Sequence, residues 1–184
     1  MFDHKTLFPD ILQTAVTEGF GSVYSQPRPA ANDENLYGLE GIFSTIYLKG
    51  DLVGKISMFI RASSAARVVG AMLDRSDLEE ESHDTLDGIG EVLNMVVGCF
   101  KKHLEPHKVS FEISVPSTRL TGVIPPSRWE NNIEQVFAAG DVYFRMSVSY
   151  RLANREDQAA VPPPTPKPKL SAAELLKLAM SKKK

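Results

Sequence analysis

Residues 82–105 read SHDTLDGIGEVLNMVVGCFKKHLE, and the two stripes in this stretch decide the fold. Leu86, Ile89, Leu93, Val96, Phe100 and Leu104 recur at spacings of three and four, which predicts one long amphipathic helix with a buried face. Asp84 and Asp87 suit the positive end of its dipole, and Lys101, Lys102 and His103 suit the negative end. Pro106 stops it. On the other side, Asp87, Glu91 and Asn94 stand at i, i+4 and i+7. Two carboxylates and a carboxamide therefore share a stripe that must be solvated or meet a polar partner. The stripe continues to Gly98, where the absent side chain lets another backbone or molecule come close. Pro116 follows Asn94 at an interval of 22 positions.

Upstream, residues 6–19 carry an apolar stripe of Leu7, Ile11, Leu12, Ala15 and Val16, so a first helix is expected there, ended by Gly19 and Gly21. A short strand is expected over 22–26, broken by Pro27 and Pro29, with a loop over 30–35. Alternation over 41–48 and 52–60 around Lys49-Gly50-Asp51 predicts a hairpin. Residues 62–73, rich in Ala and Gly, read as a compact helix. Downstream of the long helix a strand is expected over 108–115, ended by Pro116. An irregular stretch follows over 117–128, then a second hairpin over 133–150 turning at Gly140-Asp141.

The halves resemble each other. Each runs helix, strand, proline, loop, hairpin. The two Gly-Asp turns are 90 residues apart, and Pro27 and Pro116 are 89 apart. This predicts a degenerate internal duplication. Stepping back from Pro27 by the intervals that lead from Pro116 to Asn94 and Glu91 reaches Lys5 and Phe2, so only the second half carries the polar pair. The expected architecture is α+β: a largely antiparallel sheet from two hairpins and flanking strands, covered by helices.

The 184 residues suffice for one domain with a real core over 1–153. Net charge is −2 overall but +5 from Ala159 onward, leaving an acidic body at −7, a poor nucleic-acid binder. The single cysteine, Cys99, has no internal disulfide partner and fits a reducing cytoplasm. No apolar run approaches the roughly 18 residues a transmembrane helix requires. His4, His83, His103 and His107 show no metal spacing, and no Gly-rich phosphate loop or nucleophile elbow is present. Residues 154–170 form a stiff Pro-rich linker. Residues 171–184 offer a capping box at Ser171 and Glu174 and a short basic amphipathic helix that is marginal alone, or a disordered tail. That tail is a candidate for contact with a partner or, weakly, with an anionic membrane.

Asp87, Glu91 and Asn94 at these spacings, Gly98 and the spaced Pro116 together resemble the signature of the CheC/CheX/FliY phosphatases of bacterial chemotaxis. The single Glu-x-x-Asn is similar to CheX more than to CheC, and the likeness extends over residues 6–152. The resemblance implies a CheC-like fold, a homodimer, and hydrolysis of the aspartyl phosphate on a CheY-like receiver domain. It implies that Glu91 docks on the receiver's lysine and that Asn94 orients the attacking water. The magnesium then belongs to the receiver, and this chain needs no cofactor. Asp87, Gly98 and Pro116 become candidate partner-binding residues. Each also has a plainer reading: Asp87 as a helix cap, Gly98 as a helix–sheet packing position, Pro116 as the end of a strand.

The chemistry is coherent in its own terms. An acyl phosphate is already activated, so its hydrolysis needs positioning more than new covalent chemistry. A carboxamide offers both donor and acceptor for holding a water, and has no useful pKa for general-base work. A carboxylate binding an ammonium fixes register. The alternatives are a receiver-binding module without turnover, or a scaffold whose tail recruits the partner.

Overall fold

Local signals start each element at a definite residue. The computed structural model of the chain describes residues 3–31, 36, 40–121 and 129–153. All of them belong to one unit, Met1–Asn154. The linker and tail expected over 154–184 lie outside the described residues. Helix α1 spans His4–Gly19 and is capped by Asp3, whose carboxylate accepts the Lys5 backbone N–H at 3.2 Å and the Thr6 hydroxyl. Helix α2 spans Ala62–Leu73, as its composition implies. Helix α3 spans His83–Leu104, with Ser82 as its cap and Asp84 in its first turn. Pro106 lies in the 3₁₀ turn that follows it.

Both expected hairpins form. Strands β2 (Gly41–Gly50) and β3 (Leu52–Arg61) make the first, and β6 (Asn131–Ala139) and β7 (Val142–Leu152) the second. Their glycines are there for physical reasons. Gly50 has φ +149°, and a Cβ there would lie 2.6 Å from the Ser110 carbonyl oxygen; Gly140 has φ +61°. The neighbouring Asp51 accepts the Ser110 N–H at 2.8 Å and ties the turn to the next segment.

Three local expectations are corrected. Gly19 does not end α1 through a left-handed residue; the chain continues into a 3₁₀ turn at Phe20–Ser22. Gly19 serves contact instead, since a Cβ there would sit 2.8 Å from the Val96 backbone of α3. No strand forms over 22–26. Strand β1 is Arg28–Ala30, running through Pro29 on the edge of the sheet, where a missing N–H costs no ladder bond. The third correction bears on the site. The strand expected over 108–115 shrinks to β4 (Phe111–Ile113), and the stretch after Pro116 is not irregular but opens with β5 (Ser117–Thr121).

The sheet order is β1-β6-β7-β3-β2-β4, with β5 also on β2, and every pairing is antiparallel. The order bears out the duplication. The hairpins meet at β3–β7, where Ser57 faces Ser147, a pair separated by the same 90 residues as the two Gly-Asp turns. Each outer strand crosses to the other half: β1 pairs with β6, while β4 and β5 pair with β2. One face of the sheet presents Ile42, Ile46, Ile56, Met58, Phe144, Met146 and Val148 to the three helices and holds the main core. The opposite face keeps a small cluster of Leu36, Phe43, Phe59 and Val136. Among the described residues no helix is long and apolar enough to cross a membrane.

Candidate functional site

Helix α3 is anchored from three directions. Ile89, Val92, Leu93, Val96, Val97, Phe100 and Leu104 are all fully buried. Phe100 meets Phe8 of α1 edge-on at 5.7 Å between ring centres. A Cβ on Gly88 would strike Val69 of α2 at 2.4 Å, and one on Gly90 would lie 3.1 Å from the Thr118 hydroxyl and 3.3 Å from Pro116. The helix start is fixed by Ser82, which accepts the Thr85 N–H, and by buried Thr85, whose hydroxyl donates to the Glu79 carbonyl. A side chain on the outward stripe is therefore carried on a rigid support.

That stripe holds the four helix residues singled out in the sequence. Asp87 and Glu91 are exposed, Asn94 is half-buried, and Gly98 is exposed. Asp87 pairs with His83 Nδ1 at 3.1 Å, one helical turn back. Among the described residues, neither the Glu91 carboxylate nor the Asn94 carboxamide makes a hydrogen bond or an ion pair. Two strong hydrogen-bonding groups, about 5–6 Å apart at their Cβ atoms by helix geometry, thus stand together without partners among the described residues. Gly98 settles one open alternative: a Cβ there would meet nothing within 4 Å among the described residues. Packing among the described residues does not demand glycine at 98, whereas it does at 19 and 88.

Pro116 reaches the stripe by a route the sequence concealed. Leu48 faces Ile113 and Thr45 faces Ser117, so Ser114, Val115 and Pro116 oppose only Ile46 and Tyr47. One extra residue makes a β-bulge. Ser114 stabilises it: its N–H donates to the Tyr47 carbonyl and its hydroxyl accepts the Tyr47 N–H, both at 3.0 Å. The bulge turns Pro116 against Gly90, one residue from Glu91. Pro116 is thus a brace beside the helix. The apolar neighbours Val115 (78% exposed), Ile113 and Leu120 went unnoticed in the sequence, although the parity change from Phe111, Ile113 and Val115 to Thr118 and Leu120 was there to be read.

Other reactive groups stay out of the site. Cys99 is half-buried, and burial together with the Glu18 charge pushes its thiol pKa up, away from nucleophilic use. His103 is engaged with Glu18 at 3.0 Å. Among the described residues no group of three or more His, Cys, Asp or Glu is placed to hold a metal ion.

The model of the family described as chemotaxis phosphatase CheX matches residues 42–124, a span that contains Glu91, Asn94 and Pro116. No curated protein matches the chain by sequence. Among solved structures, the chain is similar to chemotaxis protein CheX from Vibrio vulnificus, with TM-score 0.66 and 16% identity over 82% of this chain and 100% of that one. It is similar to CheX from Desulfovibrio desulfuricans, with TM-score 0.63 and 23% identity over 78% and 99%. A third is the CheX of a CheX–CheY–BeF3–Mg complex from Borrelia burgdorferi, with TM-score 0.59 and 16% identity over 82% and 99%. The chain thus matches the chemotaxis phosphatase CheX model over residues 42–124 and shares its fold with CheX structures.

Proposed function

We propose that this protein hydrolyses the aspartyl phosphate of a CheY-like response-regulator receiver. The observation that carries this reading is the pair of unengaged groups on α3, Glu91 and Asn94, on one face of a helix that its packing holds rigid. The Glu91 carboxylate docks on the receiver's lysine ammonium and sets the register. The Asn94 carboxamide enters beside the phosphoryl group and holds a water in line with it. The water oxygen bonds to phosphorus as the bond to the aspartate oxygen breaks. The products are inorganic phosphate and the free carboxylate, with the water's proton released. The magnesium that neutralises the phosphoryl oxygens is the receiver's. Asp87, Gly98 and Pro116 belong to the docking surface, Gly98 by leaving room for the partner. The protein acts in the cytoplasm, as a homodimer.

The alternative is a module that binds the receiver without turnover. Decay of phosphorylated CheY-like receivers separates the two. The wild type accelerates decay, Asn94→Ala slows it by about 10²-fold with binding retained, and Glu91→Ala weakens binding. Decay unchanged by the wild type across a panel of receivers, with binding intact, would leave the binding module.

A further inference from the structure

Gly90 marks the side of α3 that faces the edge strands, because a Cβ there would meet Pro116 and Thr118. Successive residues turn about 100° around a helix and rise about 1.5 Å along it. Measured from the Gly90 direction, Asn94 lies about 40° round and Glu91 about 100° round. Lys101 lies only about 20° round, so it shares the strand-side edge of the stripe with Asn94, about 10 Å further along the axis. The packed chain agrees with this placement: Lys101 Nζ stands 5.9 Å from the centre of the Phe111 ring, on the strand that leads to Pro116. The Lys101 side chain is half-buried, and the ring holds its ammonium on the strand side. Among the described residues Lys101 makes no ion pair, not even with Glu105 one turn on. Its neighbour Lys102 differs. It lies about 120° round, is 72% exposed and reaches toward Glu18 of α1 at 4.0 Å.

The stripe therefore changes sign along its length. Asp87 and Glu91 stand at its N-terminal end, the Asn94 carboxamide follows, and the Lys101 ammonium stands at its C-terminal end. Glu91 and Lys101 are about 15 Å apart along the axis. That exceeds the Debye length of about 10 Å at 0.1 M salt, so each meets a partner as a separate charge. We propose that Lys101 is a second docking residue for the receiver, taking an anionic group on the far side of Asn94 from Glu91. Two observations favour this occupant. Lys101 and Asn94 share one edge of one rigid helix, and a domain of about 100 residues, with a radius of gyration of about 13 Å, readily covers both ends of the stripe. The charges also match. A receiver that holds magnesium beside its aspartyl phosphate surrounds the metal with oxygen ligands, carboxylates among them. Its phosphorylation site thus bears fixed negative charge as well as the lysine that Glu91 takes. Opposite signs at the two ends of the stripe admit the receiver one way round, its lysine toward the N-terminus of α3. In the reversed pose like charges meet.

This inference rests on the proposed receiver phosphatase activity, and one experiment tells their failures apart. The full chain and its variants Lys101→Ala, Lys101→Glu, Lys101→Arg and Lys102→Ala are titrated against phosphorylated and beryllofluoride-loaded CheY-like receivers, at low and at high salt. Lys101→Ala raises the half-saturating receiver concentration by about five-fold and Lys101→Glu by about ten-fold or more, with the maximal rate unchanged, the reverse of Asn94→Ala. The gap to the wild type narrows at high salt. Lys101→Arg keeps both the charge and the ring contact and stays within about two-fold of the wild type. Lys102→Ala, which removes the same charge on the α1 side, does so too. Decay accelerated by the wild type, with half-saturation unmoved by Lys101→Glu, overturns the docking role and leaves the phosphatase reading standing. An equal loss in Lys101→Ala and Lys102→Ala overturns it as well, because the effect is then the general field of the helix end. So does a maximal rate that falls at constant half-saturation. If no receiver in the panel binds the wild type, the phosphatase reading falls and the role of Lys101 with it.

Discussion

Gly98 shows how much one missing side chain can say. A glycine inside a helix costs about 1 kcal/mol against alanine, so it persists where something requires it. At Gly19 the requirement is the Val96 backbone, 2.8 Å from where a Cβ would be. At Gly98 nothing among the described residues lies within 4 Å. The two alanine variants should therefore part company. Gly98→Ala should raise unfolding stability by about 0.5–1 kcal/mol and slow receiver dephosphorylation. Gly19→Ala should lower stability by about 1–3 kcal/mol, because backbone cannot yield as a side-chain end can. Thermal or urea unfolding beside the decay assay checks both. A Gly98→Ala protein that is more stable and fully active would remove Gly98 from the docking surface. Glu91 and Asn94 were readable from spacing because a helix turns local sequence into a face; their lack of partners among the described residues could be known only from the packed chain.

At the level of elements, the bulge is the device that joins sheet to site. Without the extra residue, β4 and β5 would be one strand and Pro116 would face away from α3. Ser114 substitutes for the lost ladder bond by accepting the Tyr47 N–H. Ser114→Ala should cost about 1 kcal/mol of stability by leaving that donor to solvent. It should also raise the half-saturating receiver concentration while sparing the maximal rate, because the residues proposed to act on the phosphate sit on α3. An urea midpoint and a saturation curve test the two halves of this statement. The strand that sequence reading placed over 108–115 failed here. Three- and five-residue strands carry too few alternations to mark their own ends, and a bulge reverses the parity on which the reading depends.

Over the whole molecule, the two halves share one core on one face of one sheet, and the N-terminal helix is pinned to the last strand. The Tyr150 hydroxyl lies 2.7 Å from His4 Nδ1, and its ring packs on Phe8 at 4.9 Å. Burial, aided by the charges of Asp3 and Glu130, pushes the Tyr150 pKa up to about 12. The fold thus favours the neutral phenol, whereas the unfolded chain ionises near the ordinary value of about 10. Stability from this group is fully present below about pH 10 and is lost as pH rises toward about 12. The thermal midpoint should therefore fall between about pH 10 and 12. Tyr150→Phe should flatten that alkaline slope, at the cost of the His4 contact at neutral pH. An equal slope in the variant would place the alkaline loss elsewhere.

The sequence by itself determined the three helices, the two hairpins and the polar stripe of α3. Periods of 3.6 and 2, the Ser82 cap, the Gly-Asp turns and the Asp87–Glu91–Asn94–Gly98 stripe are all written within a few residues of where they act. Even the duplication was visible, since a repeat is a relation between stretches of one chain. Tertiary structure alone decided which outer strand crosses to which hairpin, that Pro116 braces Gly90, and that Gly19 answers to Val96 while Gly98 answers to nothing among the described residues. Those facts depend on partners from 26 residues away, Gly90 and Pro116, to 110, Arg28 and Ala138. A side chain's local pattern says which way it faces, but only the packed chain says what stands opposite.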